Sequence, residues 1–189
     1  MLPALSGSTG GPPPGRHPAT VAEVQARFVK DSQFSGSTTR AAIWQGFLSY
    51  EAAWLSAEAS LGHKIVLAWW LAGSFISSAL DPEDIDVTPV LDGPQLATLA
   101  GSTGMGKVRA LIKHRASVRK QFLVEPFTLE WEPLPSTLAP ELLTPGQQLM
   151  LARRGGLDSW WGRQRPGGPK AAPVTPKTFA DRGYLEVLR

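Results

Sequence analysis

Along the chain, apolar residues recur with helical, continuous and alternating spacings, and the changes between them mark the elements. Thr20 and Glu23 form a capping box for a helix with Val21, Val24 and Phe28 on one face, starting at Pro18-Ala19-Thr20 and ending near Lys30. Thr38 or Thr39 caps a second helix to about Ser60, whose Ile43, Phe47, Tyr50 and Trp54 form a stripe widened by Trp44, Leu48 and Leu55. Aromatic residues at that spacing pack inward. Ile65 to Leu71 is a continuous apolar run between Gly62 and Gly73, the pattern of a strand buried on both faces. Gly73-Ser74 then opens a short helical segment, Phe75 to Leu80, and Asp81-Pro82 turns the chain. Asp84-Ile85-Asp86-Val87 alternates as a half-buried strand, which Pro89 keeps short or places at an edge, because proline cannot donate to a ladder.

Further along, Pro94 opens a short helix through Ala100, and Lys107 to Lys120 forms a basic helix with Val108, Leu111, Ile112 and Val118 as its apolar positions. His114, in that basic stretch, faces solvent. Phe122 to Trp131 reads as a third strand, weakened or marked as an edge by Pro126. Pro133 to Pro145 is a connector, Pro145 to Arg154 a helix, Trp160 to Arg165 a loop, and Pro166 to Thr178 a mobile loop rich in Pro, Gly and Lys. Gly183 to Leu188 alternates as a final strand added to the sheet. The pattern predicts an α+β fold, a small mixed β-sheet flanked by helices. Residues 1–17 form a disordered N-terminal segment, 18–132 the core, and 133–189 a C-terminal extension of loop, helix and final strand packed on it.

Composition narrows the chemistry. With 42% hydrophobic residues and seven Trp, 189 residues bury one core. The absence of Cys removes disulfides and thiolate zinc sites, and three scattered His leave no His-rich zinc site. No run approaches a membrane span and no signal-peptide pattern opens the chain, so a cytoplasmic protein without membrane contact is expected. The net charge of +3 is segregated: residues 1–92 carry five Lys/Arg against nine Asp/Glu, whereas Gly106 to Lys120 carries six Lys/Arg and no acid. From Leu151 onward eight Lys/Arg face three acids. An acidic centre framed by basic segments suits a metal-polyphosphate, or nucleic acid near a metal.

The centre itself carries the candidate site. Asp84 and Asp86 share one strand face, where two carboxylates repel unless a cation lies between them; hard oxygen ligands suit Mg²⁺ (or Mn²⁺) shared with phosphates. The Gly73-Ser74 turn leaves free N–H groups and a hydroxyl for a phosphate. The following strand carries Glu125, on the face of Leu123 and Phe127, and then Glu130 and Glu132. Lys107 and Arg115 are candidates for contacting the phosphates, with Arg119 and the Trp160 to Arg165 loop adding positive charge. Gly101 to Lys107 is a near match to a P-loop, a weaker alternative, since Val108 replaces the metal-binding Ser/Thr and the segment before it reads as helix.

Gly-Ser followed, after nine intervening residues, by Asp-x-Asp resembles the signature of the polymerase-β-like nucleotidyltransferase superfamily. Pro14 to Thr20 with Glu23, Val24 and Phe28, Gly73-Ser74-Phe75 with Pro82-x-Asp84-Ile85-Asp86, Val124-Glu125, and Gly-x-x-Glu-Val at Gly183 to Val187 are similar to an uncharacterised bacterial family within it. The resemblance implies a nucleotidyltransferase-like fold in which Gly73 and Ser74 hold the triphosphate of an NTP such as ATP. Asp84 and Asp86 would hold one or two Mg²⁺, and Glu125 would be third ligand or base. Glu125 departs from the Asp usual in that superfamily. The implied activity is transfer of NMP to a hydroxyl on a protein, RNA or small molecule. The alternative is a non-catalytic nucleotide- or partner-binding protein on the same fold, such as a toxin–antitoxin or phage-defence component.

Overall fold

The backbone runs through β1 (Gly15–Ala19), α1 (Val21–Phe28), α2 (Arg40–Leu61), β2 (Val66–Ala72), β3 (Ile85–Asp92), α3 (Gly93–Thr98) and α4 (Met105–Lys113). It continues through α5 (Arg115–Phe122), β4 (Val124–Pro126), β5 (Leu129–Trp131), α6 (Pro145–Gly162) and β6 (Gly183–Leu188). This is a computed structural model, and it describes residues 2–6, 10–136, 139–163 and 182–189. The six strands form one mixed sheet in the order β1-β6-β2-β3-β4, with β5 also paired to β3, so the fold is α+β with a mixed sheet flanked by helices. Among the described residues no helix is long and apolar enough to cross a membrane.

Strand alternation divides the sheet into two faces. Trp69, Leu71, Val87 and Leu185 point to the face covered by α2, whose Phe47, Tyr50 and Trp54 pack their rings on Trp69. Trp70, Asp86, Thr88 and Glu186 point to the other face, where α6 sends the Trp161 indole N–H to the Thr88 hydroxyl at 3.1 Å. Burial of β2 on both faces explains its continuous apolar sequence.

Several elements differ from the sequence reading, each for a physical reason. Pro89 lies inside an eight-residue β3 rather than ending it. Ile85 donates to Leu123 O and Val87 accepts from Phe127 N, so odd-numbered residues turn their backbone toward β4 and β5. Pro89 therefore faces the break between those two three-residue strands, where no ladder donor is needed. The same break, at Phe127 and Thr128, divides the expected single strand 122–131, and Phe122 ends α5 instead. The basic helix 107–120 begins at Met105, ends at Phe122 and is interrupted at His114, which is exposed. The interruption frees the Leu111 carbonyl from the helical ladder, and the buried Tyr50 hydroxyl donates to it at 3.1 Å.

Residues 15–19 form a strand where a disordered end and then a helix start were expected. Parallel pairing with β6 satisfies their backbone, and upstream Gly10 O and Pro12 O accept from Ser78 N and Gly183 N. The final strand joins the sheet as expected, and β6 takes an inner position between β1 and β2. Helix α6 passes through Gly155-Gly156 to Gly162 and includes Trp160 and Trp161, which were expected in a loop; the buried Trp161 and the Tyr184 hydroxyl bonded to Asp158 hold those turns on the sheet. The Pro-rich stretch 166–178 lies outside the described residues.

The expected helix Phe75 to Leu80 is reduced to one 3₁₀ turn, Ser74–Ile76. Its carbonyls are taken by Arg40, whose guanidinium is buried and donates to Phe75 O at 2.6 Å, Ser77 O at 2.8 Å, Ala79 O at 2.5 Å and Leu80 O at 3.2 Å. A further bond reaches Phe28 O at 2.9 Å, and the cation lies 3.7 Å over the Phe34 ring. Burial pulls the Arg40 pKa down to about 10, against the attraction of Asp81. Thr39 is the N-cap of α2, as expected, but its side chain makes no cap bond; the Ser37 hydroxyl accepts from Arg40 N at 3.2 Å and donates to Asp81 Oδ1 at 3.1 Å, which also accepts from Thr38 N at 2.7 Å. The Thr38 amide bond, more than any other cause, holds this carboxyl below the usual range.

Replacing Arg40 by Met leaves several carbonyls without donors and should cost about 3 kcal/mol or more in urea denaturation, with Arg40→Lys recovering part of the loss. A carboxyl whose folded pKa is lowered contributes stability above its unfolded value and loses it as pH falls through the folded value. The gap in denaturation midpoint between the protein and Asp81→Asn should therefore be open at about pH 6 and close only as pH falls below the ordinary aspartate range, near about 4.

Candidate metal centre

Asp86 projects from the α6 face of β3, and Glu125 stands opposite it in the parallel register of β4. Asp84, one residue before β3, falls on the same side. One carboxylate oxygen from each of Asp84, Asp86 and Glu125 lies within 4.8 Å of the others, all three side chains being half-buried. Register also brings Ala72 beside Asp86, so that Gly73, with φ of 80°, follows directly beneath the carboxylate. A Cβ at position 73 would overlap Asp86 Oδ2. Glycine is required here by both the left-handed backbone and the close approach. Exposed Ser74 opens the 3₁₀ turn, and together these residues line a cleft of about 950 Å³.

The electrostatics are set by α5. Arg119 Nε lies 2.6 Å from Asp84 Oδ2 and its terminal nitrogen 2.9 Å from Glu83, while one turn earlier Arg115 lies 2.5 Å from Glu125. Burial pushes the Asp84 carboxyl above its usual range; Arg119 opposes the shift and Glu125 adds to it. Asp84 in turn raises the Arg119 pKa. The donor set, carboxylate oxygens without Cys or His, fits Mg²⁺ or Mn²⁺ rather than a softer metal.

Of the residues read from the sequence, Gly73, Ser74, Asp84, Asp86, Arg115 and Glu125 line one cleft. Lys107 does not join them; its ammonium donates to the Ser60 hydroxyl at 2.9 Å and it borders a separate groove with Ala53, Leu111 and Phe122. Helix α3, not a strand, precedes the Gly101 to Lys107 connection, which removes the context a P-loop needs. Glu130 and Glu132 stand outside the acidic group.

The sequence reading missed Arg40, Arg153 and Arg182. Arg40 sits three residues before Ile43, in line with the apolar stripe of α2, and that misplaced charge was the available signal. Arg153, Gly156, Leu157 and Trp160 recur at helical spacing and form the α6 wall of the cleft, with Arg163 lying 3.7 Å over the Trp160 ring.

The sequence profile of a family of unknown function, DUF6932, matches residues 5–187. The chain belongs to the DUF6932 family. No curated protein and no solved structure matches it. Family membership thus spans nearly the whole chain and, the family being of unknown function, assigns it no chemistry.

Gly73→Ala should lower stability by about 2 kcal/mol or more, from left-handed strain and overlap with Asp86. Gly155→Ala, where nothing lies within 4 Å of an added Cβ in mid-helix, should instead leave thermal stability unchanged or raise it by up to about 1 kcal/mol.

Proposed function

We propose that this DUF6932 protein is a Mg²⁺-dependent nucleotidyltransferase that moves NMP from an NTP to a hydroxyl acceptor. The observation that carries the reading is the convergence of Asp84, Asp86 and Glu125 within 4.8 Å beside the Gly73-Ser74 turn. In this reading the three carboxylates hold the metal, and the turn receives phosphate oxygens through its backbone N–H groups and the Ser74 hydroxyl. The metal, once bound, supplies charge neutralisation at the transferring phosphate. Glu125 or a neighbouring carboxylate accepts the proton of the attacking hydroxyl. The aromatic and apolar wall of Phe127, Leu157, Trp160 and Trp161 favours a nucleotide over bare polyphosphate, since a base needs a surface to stack on.

Incubation with α-labelled NTPs, Mg²⁺ and cell extract should transfer label to a protein, RNA or small-molecule acceptor. Asp86→Asn should lower the labelling by about 100-fold or more. Equal labelling by both proteins overturns the reading, and NTP binding without pyrophosphate release supports the alternative of a non-catalytic nucleotide-binding protein.

A further inference from the structure

Three ionised carboxylates this close repel one another, and two of them, Glu125 and Asp84, are each paired with an arginine of α5. Arg115 and Arg119 are one turn apart on α5, each paired with a different carboxylate of the group, Glu125 and Asp84. Both guanidiniums are about half exposed and line the same cleft as Ser74. Helix α5 is anchored in the core by Val118 and Phe122, and Arg115 in addition lies 4.1 Å over the Phe127 ring.

We propose that Arg115 and Arg119 are exchange residues: they occupy the carboxylates until a divalent cation takes those oxygens, and the released guanidiniums then bind the phosphates that arrive with it. This rests on the proposed nucleotidyltransferase reading. The physical basis is competition for the same oxygens. A dication held by Asp84 and Glu125 displaces the N–H donors and repels the two guanidiniums, so cation binding alone is disfavoured. A triphosphate brings about four negative charges and gives the displaced arginines planar, two-oxygen acceptors, for which guanidinium is better shaped than ammonium. Metal and triphosphate must then strengthen one another, and the coupling is reciprocal. An arginine that only binds phosphate would give no penalty on metal binding; one that only neutralises the carboxylates would give no gain for phosphate.

The internal comparison is Arg153, which lines the same cleft from α6 and, among the described residues, is in no ion pair with the three carboxylates. The test measures Mn²⁺ binding by the loss of its free paramagnetic resonance signal, with and without inorganic tripolyphosphate or ATP, in the full chain. In the unaltered protein Mn²⁺ alone should bind weakly and about tenfold or more tighter with tripolyphosphate. Arg115→Gln and Arg119→Gln should each bind Mn²⁺ alone more tightly, by about tenfold, and bind tripolyphosphate more weakly, so that the coupling collapses. Arg153→Gln should lose triphosphate affinity without any gain for Mn²⁺. Circular dichroism and thermal unfolding of each variant separate these effects from misfolding, and Arg119→Lys, keeping the charge without the fork, provides a variant with conserved fold. If the Gln variants bind Mn²⁺ no more tightly than the unaltered protein, exchange is overturned while the metal centre stands. If Mn²⁺ binds neither the protein nor its variants, and Asp86→Asn changes nothing, the metal centre and the exchange fall together.

Discussion

A buried guanidinium sets the geometry on which the cleft depends. Arg40 draws five carbonyls around one cation, four of them from the segment Phe75 to Leu80 that joins the two central strands. A desolvated charge is tolerated only when its donors are satisfied, so the segment has little freedom to adopt another path. Ser74 immediately precedes this segment and its last residues lead through Asp81 to Asp84; one arginine on the opposite helix thereby fixes both ends of the candidate site. Asp81 closes the arrangement from the other side by holding the amide of Thr38 at the start of the helix that bears Arg40.

Charge at the cleft follows the same logic in the reverse sense. Carboxylates are brought together by strand register, which is indifferent to their repulsion, and α5 supplies the compensation from outside the sheet. Among the described residues the cleft is lined by the arginines Arg115, Arg119, Arg153, Arg163 and Arg182 and by no lysine. Planar forks recognise carboxylate and phosphate by the same paired donors, so the wall that stabilises the acidic group also suits an anionic ligand.

How much of this was legible depended on the range over which each residue acts. The capping box at Thr20, the apolar run of β2 and the Asp-x-Asp alternation are settled by neighbours a few positions away, and they read directly from the chain. So did Glu125, because its strand follows the same hydrophobic pattern. The conformation of Gly15–Ala19 is settled by a partner at Gly183–Val187, and local composition misled. Pro89 looked like a terminator because its missing donor matters only on the side where β4 and β5 break. Two glycines halted α6 on propensity, yet burial of Trp161 carried the helix past them. Lys107 looked like a phosphate ligand by motif and was placed elsewhere by the helix before it.

The position of β6 bears on the order in which the molecule can be made. It lies between β1 and β2, pairing with Gly15–Ala19 on one side and with Ala68–Leu71 on the other. Until β6 arrives, both of those strands present an open edge with unpaired amides, and the first strand has no neighbour in the sheet. Pairing residue 15 with residue 183 closes nearly the whole chain into one loop, a slow event by its entropy. During translation the helices and the β2–β3 hairpin therefore wait, partly assembled, for a strand that leaves the ribosome after all of them, and a chain stopped short of residue 183 is a natural client for chaperones.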